Sequence, residues 1–238
     1  MQSIVFAMLL ILASGVDPAP LLEQGQKNLE AGKFQQALND FSEVLKSQPK
    51  NPAANLGRAR ALLGLGDGPK AVGPARMVCE LEPDNLAAWM VLGDAYSHEN
   101  SQDYPRAAEA YQKVLDLDPR NRKAGLRLAR ALSYKKEVGQ AIAVLEGILK
   151  HHPRDVLVLV KLAESYYAIR KLDRAEELLE RAEKQAPGDP EVRRVADQIG
   201  SRRAYNFWVP IIAIIAFPLI YLLVRFMRKG RVPKVPES

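Results

Sequence analysis

The side chains in this sequence that most readily act as nucleophiles or metal ligands are three histidines and one cysteine. His98 falls in a predicted turn, while His151 and His152 precede Pro153 at a predicted helix end, where a surface or capping role is expected rather than metal binding. Cys79 takes a helical position that leucine holds in neighbouring segments, which predicts a buried and unreactive thiol. None of these residues has a partner at a spacing typical of catalysis.

A glycine-rich segment at residues 64–70 reads GLGDGPK and superficially resembles a phosphate-binding loop. It lacks the G-x-x-x-x-G-K-S/T spacing, and no predicted strand precedes it, so we interpret it as a turn. We therefore predict that the chain is not an enzyme and that it uses no cofactor and no metal ion.

The spacing of four other side chains indicates binding. Lys123, Arg127, Arg130 and Tyr134 lie 4, 3 and 4 residues apart, which places them on one face of a helix. One interpretation is a pocket for an acidic segment, in which Arg127 and Arg130 make bidentate contacts with carboxylates and Tyr134 stacks on the ligand. The alternative is a solvated face whose charges are balanced by nearby acidic residues.

These residues belong to a repeat that extends through most of the chain. Prolines recur at intervals of 34, 36, 34 and 34 residues, alanines recur at the same intervals, and Asn or Asp stands two residues after each proline. The three series are Pro49, Pro83, Pro119, Pro153 and Pro187; Ala37, Ala71, Ala107, Ala141 and Ala175; and Asn51, Asn85, Asn121, Asp155 and Asp189. Asn and Asp cap helix N-termini, and each repeat contains two amphipathic stretches separated by a break. The repeat therefore predicts helix–turn–helix units.

The pattern resembles the tetratricopeptide repeat (TPR) family. The third unit carries the motif most fully, with the residues Trp89, Leu92, Gly93, Tyr96, Ala107, Tyr111 and Pro119. The resemblance covers residues 18–187 and implies an all-α, right-handed α-solenoid of five helix–turn–helix repeats, at 18–51, 52–85, 86–121, 122–155 and 156–189. The third unit departs from the pattern by two extra residues, which we place in the turn between residues 98 and 103.

Family resemblance also implies a concave groove, lined by the first helices, that binds a partner protein or peptide. The repeat places the candidate groove residues at Arg60, Asp94, Lys123, Arg127, Arg130, Tyr134, Glu164 and Tyr167. Lys123 and Arg127 coincide with two basic positions of the subgroup that holds the acidic C-terminus of chaperones. Leu56, Arg60 and Val91 stand where that subgroup has Lys and two Asn, so we do not predict chaperone-tail binding.

The C-terminal part of the chain predicts a capping helix followed by a membrane span. Residues 190–203 carry apolar side chains at helical spacing (Val192, Val195, Ala196 and Ile199), and Gly200-Ser201 is expected to end this helix. Residues 207–224 contain no charge, which predicts a transmembrane helix over 205–224 and a short basic tail over 225–238. Residues 191–238 carry nine basic and three acidic side chains, which accounts for the whole net charge of +6. Because this surplus flanks the apolar segment, we do not predict nucleic-acid binding.

Residues 4–13 form a short apolar run that predicts a signal peptide over residues 1–15, or an uncleaved N-terminal anchor. The repeats are then expected on the extracytoplasmic side, in a bacterial periplasm, with the basic tail in the cytoplasm. A tail-anchored adaptor with its repeats in the cytosol is one alternative. A non-catalytic subunit of a membrane enzyme or assembly complex is another.

Overall fold

The computed structural model describes residues 18–229, which form eleven α-helices and no strand. The helices are α1 (Pro18–Glu30), α2 (Phe34–Ser47), α3 (Pro52–Gly64), α4 (Gly68–Leu81), α5 (Leu86–Ser97), α6 (Tyr104–Leu117), α7 (Arg122–Tyr134), α8 (Val138–His151), α9 (Val156–Ala168), α10 (Leu172–Gln185) and α11 (Pro190–Lys229). The all-α class expected from the sequence is confirmed. The predicted signal segment at residues 1–15 and the tail from residue 230 onward lie outside the described residues.

The chain divides into two compact units at Pro153. The described part of the first unit contains four helical hairpins, α1–α2, α3–α4, α5–α6 and α7–α8, and successive helices pack against one another. The second unit contains the hairpin α9–α10 and the long helix α11, which packs on both helices of that hairpin. The first helices of hairpins two to four carry most of the candidate groove residues.

The helix starts follow the side-chain caps expected from the repeat. In hairpins two to five, the Asn or Asp at the N-cap accepts a hydrogen bond from the backbone N–H three residues later, at 3.0 to 3.1 Å. Asp189 accepts from Val192 N–H in the same way, at 3.1 Å, and so starts α11. Each cap satisfies a donor that the first helical turn leaves unpaired, and typically stabilises the helix by about 1 kcal/mol.

The recurring alanines form the contact between paired helices. All five have no exposed surface, and the apolar series on the second helices is equally buried, at Val44, Val78, Val114, Ile148 and Ala182. At Gly93, a methyl group would lie 2.4 Å from the Tyr111 ring, so the glycine lets this tyrosine pack directly on the helix backbone. The small residues therefore set how closely the helices of a hairpin approach.

The two extra residues of hairpin three lie in the α5–α6 turn, as expected. Gln102 in this turn adopts a left-handed backbone conformation with φ of 47°. The Asn100 side chain donates a 3.0 Å hydrogen bond to the carbonyl oxygen of Gly66, in the turn of hairpin two. The extended turn is therefore fastened to the preceding hairpin.

Helix α11 differs from the sequence-based expectation in two respects. Val192, Val195 and Ile199 are buried against hairpin five, whereas Ala196 is exposed. The predicted end at Gly200-Ser201 is wrong, because the helix continues without a break to Lys229. A single glycine costs a helix only about 1 kcal/mol, and the next proline, Pro210, comes ten residues later inside the same helix. By length and composition, α11 is the one helix among the described residues that could cross a membrane.

Candidate functional site

A cavity of about 860 Å³ lies in the first unit, between the extended α5–α6 turn and helix α7. We call it the α5–α7 cavity. Its lining residues are Leu63, Asp94, Ser97, His98, Glu99, Gln102, Tyr104, Arg127, Arg130 and Tyr134. The first helices of three successive hairpins contribute to it, together with the turn that contains the two extra residues. Four of the groove residues expected from the sequence, Asp94, Arg127, Arg130 and Tyr134, thus meet at one place.

A network of polar side chains forms one wall of the cavity. Arg127 donates from a single nitrogen to both carboxylate oxygens of Asp94. The Tyr111 hydroxyl donates to the same carboxylate at 2.7 Å and lies 3.0 Å from the Ser97 hydroxyl. Burial raises the pKa of Tyr111 well above its usual range, and the Asp94 charge raises it further, so this hydroxyl stays a donor. The network joins three helices, α5, α6 and α7.

Arg127 lies where its charge pairs with a carboxylate of the protein itself. Its side chain is 26% exposed, as is that of Asp94, and the two charges face one another across the α5–α7 contact. Arg127 is therefore already bonded to a carboxylate of the protein itself. For this residue the structure agrees with the interpretation in which nearby acids balance the basic face.

Arg130, one helical turn further along α7, is placed differently. It is exposed, it lines the cavity, and within the described residues no ion pair involves it. Glu99 lies across the cavity on the extended turn and is also exposed. Lys123 is exposed on the first turn of α7 but does not line the cavity. Arg130 is thus the cation of this basic face that remains available to a ligand inside the cavity.

Two tyrosines form an aromatic surface beside Arg130. The rings of Tyr104 and Tyr134 are stacked, with centroids 4.3 Å apart and an angle of 12° between their planes. Tyr134 is nevertheless 59% exposed, so one of its faces remains open to solvent. An exposed aromatic face next to an unpaired guanidinium can hold an acidic residue together with a flat or apolar neighbour.

The remaining groove candidates lie elsewhere. Arg60 is exposed on α3 and does not line the cavity. In the second unit, Glu164 accepts hydrogen bonds from Arg194 at 2.6 Å and from Lys161 at 2.9 Å, and Tyr167 is half-buried. Arg194 also bonds to Glu191, and this contact lowers the pKa of Glu191 to about 2. Glu164 and its partners therefore hold α11 on α9.

Sequence reasoning missed several residues of the cavity, namely Ser97, Glu99, Gln102, Tyr104 and Tyr111 in its network. The two extra residues of hairpin three were the signal for Glu99 and Gln102, which lie on the extended turn, whereas Tyr111 was identified from the sequence only as a residue of the repeat motif. No group of three His, Cys, Asp or Glu side chains in the described part of the chain could hold a metal ion. The chemistry that the cavity offers is charge pairing, hydrogen bonding and stacking.

Comparison with known proteins places the chain among repeat proteins. One family model, described as a tetratricopeptide repeat, matches residues 22–85 and 75–122, and a second with the same description matches residues 100–153 and 132–199. Together these matches span residues 22–199.

Relatives of known sequence are similar over part of their length. The chain is 35% identical over 109 residues to an Hsp70-Hsp90 organizing protein of Triticum aestivum, which covers 45% of this chain and 18% of the relative. It is 27% identical over 145 residues to RNA polymerase II-associated protein 3 of Rattus norvegicus, which covers 60% of this chain and 20% of the relative. The chain spans about a fifth of each of these two relatives.

Two solved structures with a similar fold match this chain over most of their own length. The MamA protein superposes with a TM-score of 0.65 at 20% identity, over 71% of this chain and 91% of MamA. YrrB, described as a TPR protein with an unusual peptide-binding site, superposes with a TM-score of 0.66 at 13% identity, over 76% of this chain and 92% of YrrB. At these identities the likeness shows the fold alone.

Proposed function

Because the chain belongs to the tetratricopeptide repeat family, we propose that it is a membrane-anchored scaffold that binds an acidic segment of a partner protein. The observation that carries this proposal is Arg130, a guanidinium in the α5–α7 cavity that has no ion pair among the described residues and lies beside the open face of Tyr134. A carboxylate on Arg130 gains a charge-assisted, bidentate hydrogen bond, and the residue next to it packs on the tyrosine ring. We propose no catalytic role, since proteins of this family are generally non-catalytic scaffolds.

The partner we propose is not a chaperone tail. The wheat relative is named as an organizer of Hsp70 and Hsp90, but in this chain Leu56, Arg60 and Val91 replace the Lys and two Asn of the clamp subgroup. Arg127, which coincides with a clamp position, is bonded to Asp94. Lys123 is exposed and has no ion pair with another described residue, so in this proposal it attracts the acidic segment from outside the cavity.

The binding proposal is tested with the full chain in nanodiscs and a random dodecapeptide library displayed on phage. We expect selected peptides to share an acidic residue beside an aromatic or apolar one. Arg130→Glu should abolish their binding, while Arg76→Glu, which makes the same charge change on an exposed residue of α4, should not. Peptides without a shared acidic residue, or equal binding by both variants, would remove the proposal.

We propose that residues 205–224 of α11 anchor the protein in a membrane. Most apolar side chains described in this segment are exposed, for example Ile214 at 73% and Phe217 at 75%, and no partner in the described residues covers them. A stretch of about 20 apolar residues matches the hydrocarbon thickness of a bilayer. Alkaline carbonate extraction of membranes tests the anchor, because an integral protein stays in the pellet.

We further propose that the repeats face the extracytoplasmic side and the basic tail faces the cytoplasm. The support is the signal-like apolar run at residues 4–13. Protease added to intact spheroplasts should then cleave the repeats. Protection of the repeats would favour the alternative, a tail-anchored adaptor facing the cytosol. Replacing the span with an unrelated apolar helix would separate a passive anchor from a subunit whose span packs in a membrane complex.

A further inference from the structure

Helix α11 is fixed against the last hairpin right up to the start of its apolar segment. The Arg203 guanidinium bonds to Glu176 and lies 3.5 Å from the Asp173 carboxylate, and both acids belong to the first turns of α10. At its other end, α11 follows α10 through the short turn after Gln185. The two helices are therefore antiparallel, and the start of α10 lies beside Arg203.

This register sets the level of the α9–α10 turn along α11. Residues 169–171 directly precede Leu172, the first residue of α10, so this turn lies at the end of α10 that carries Asp173. Because the helices are antiparallel, this end of α10 points along α11 in the direction of Tyr205 and Trp208. These two amphipathic aromatics begin the apolar segment and are 62% and 56% exposed. The turn thus lies at the level where the proposed membrane span begins.

The residues at this edge suit a lipid surface. Ile169 is 40% exposed at the end of α9, although it is a large apolar side chain. Arg170 and Lys171 follow it in the turn, Arg202 is the residue before Arg203 on α11, and within the described residues none of the three has an ion pair. Arg203 faces both Asp173 and Glu176, Glu177 pairs with Arg174 at 2.9 Å, and the Asp173 side chain stays 92% exposed. The residues named at this edge are five cations and three acids, which leaves a surplus of two positive charges on the segments that flank the exposed isoleucine.

We infer that the α9–α10 turn of the second unit docks on the bilayer surface and binds anionic phospholipid headgroups. Ile169 enters the headgroup region, and Arg170, Lys171 and Arg202 contact lipid phosphates. Basic side chains near an anionic leaflet each strengthen association about fivefold, and an apolar side chain among them adds burial. This inference rests on the proposed membrane anchor, which brings the turn to the surface.

Spin labels on the full chain in nanodiscs test the inference. In a Cys79→Ala background, Ile169→Cys places a label at the turn and Lys184→Cys places one at the opposite end of α10. With anionic lipid present, the label at 169 should collide more with oxygen than with a water-soluble nickel chelate, and the label at 184 should show the reverse. If the label at 169 behaves like the label at 184, the inference is overturned.

Two further variants separate this result from other causes. Reversing both charges with Arg170→Glu and Lys171→Glu should return the label at 169 to water, with the docked fraction reduced by at least an order of magnitude. Docking that is unchanged by this reversal and by removal of anionic lipid would contradict the headgroup contact. A label at Ile214→Cys reports on the anchor itself. If the label at 214 lies in hydrocarbon while the label at 169 lies in water, the docking inference is wrong and the membrane anchor is supported. If the label at 214 lies in water, both the anchor and the docking are wrong.

Discussion

Asp94 is the residue on which the wall of the α5–α7 cavity depends. Its carboxylate accepts from Arg127 on the next hairpin and from the buried Tyr111 hydroxyl on its own hairpin. If the Asp94 charge is removed, the half-buried Arg127 loses its counter-charge and the buried Tyr111 hydroxyl loses its charged acceptor. Asp94 therefore contributes both to the wall of the cavity and to the packing of the two hairpins.

We expect Asp94→Asn to lower the free energy of unfolding by about 1 to 3 kcal/mol, because Arg127 then lacks its counter-charge. Denaturant unfolding of the full chain in detergent, followed by circular dichroism, measures the loss. Asp84→Asn removes the same charge from an exposed position and should change little. An equal effect of the two substitutions would show that the network does not stabilise the fold.

Cys79 gives a second test at this scale. Burial raises the pKa of its thiol to about 12, since the charged thiolate loses its hydration in the core of hairpin two. The raised pKa keeps the thiol protonated at neutral pH, and thiolate forms only as the pH approaches 12. We expect an aromatic disulfide reagent at pH 8 to modify the folded chain far more slowly than the chain in denaturant. Equal rates in both states would show that Cys79 is exposed.

Among the helices, Gly93 and Gly147 make a matched pair. A methyl group at Gly93 would meet the Tyr111 ring at 2.4 Å, and this ring is held by Asp94 and Ser97. At Gly147 in α8, no atom lies within 4 Å of the added methyl group. The same substitution should therefore have opposite effects at the two positions.

We expect Gly93→Ala to destabilise the chain by about 1 to 2 kcal/mol, because overpacking outweighs the better helix propensity of alanine. Gly147→Ala should stabilise it by about 0.5 to 1 kcal/mol. Thermal denaturation of both variants in the same detergent provides the comparison. A stabilised Gly93→Ala variant would mean that Tyr111 does not pack on α5 as described.

The extended α5–α6 turn can be tested by shortening it. Deleting Asn100 and Ser101 restores the 34-residue spacing and removes the hydrogen bond from Asn100 to Gly66. The hairpins should still form, but Glu99, Gln102 and Tyr104 would leave their places in the cavity. We expect helical content to stay unchanged and peptide binding to fall at least tenfold. Ser101→Gly, which keeps the length of the turn and changes no residue that lines the cavity, should retain binding.

The helices were more predictable than the site because local, repeating interactions determine the helices, whereas contacts between distant residues determine the site. Caps such as Asn121 and contacts such as that of Ala107 repeat in sequence, so periodicity places both. The course of α11 past Gly200 was not predicted, because one glycine is a weak stop signal and its neighbours decide the outcome. The pairing of Arg127 with Asp94 joins residues 33 positions apart. Helical spacing predicts the face of the helix on which a side chain lies, but it does not predict which residue of another helix that side chain contacts.

At the scale of the whole molecule, the proposed anchor and the proposed binding site lie in different units of the chain. The first unit carries the α5–α7 cavity, and the second carries hairpin five and α11. Ion pairs from Arg194 and Arg203 fix α11 on hairpin five, so in this proposal the membrane helix and the last repeat move together. A membrane-held partner would gain effective concentration from such an arrangement.

The central claim is that Arg130 recognises an acidic residue of the partner, and a charge swap tests it most directly. The measurement is the affinity of one library-selected peptide, and of its Glu→Lys or Asp→Lys counterpart, for the full chain and for Arg130→Glu in nanodiscs. We predict that the acidic peptide binds only the unaltered chain and that the lysine peptide regains binding to Arg130→Glu. Equal affinity of the acidic peptide for both proteins would contradict the account.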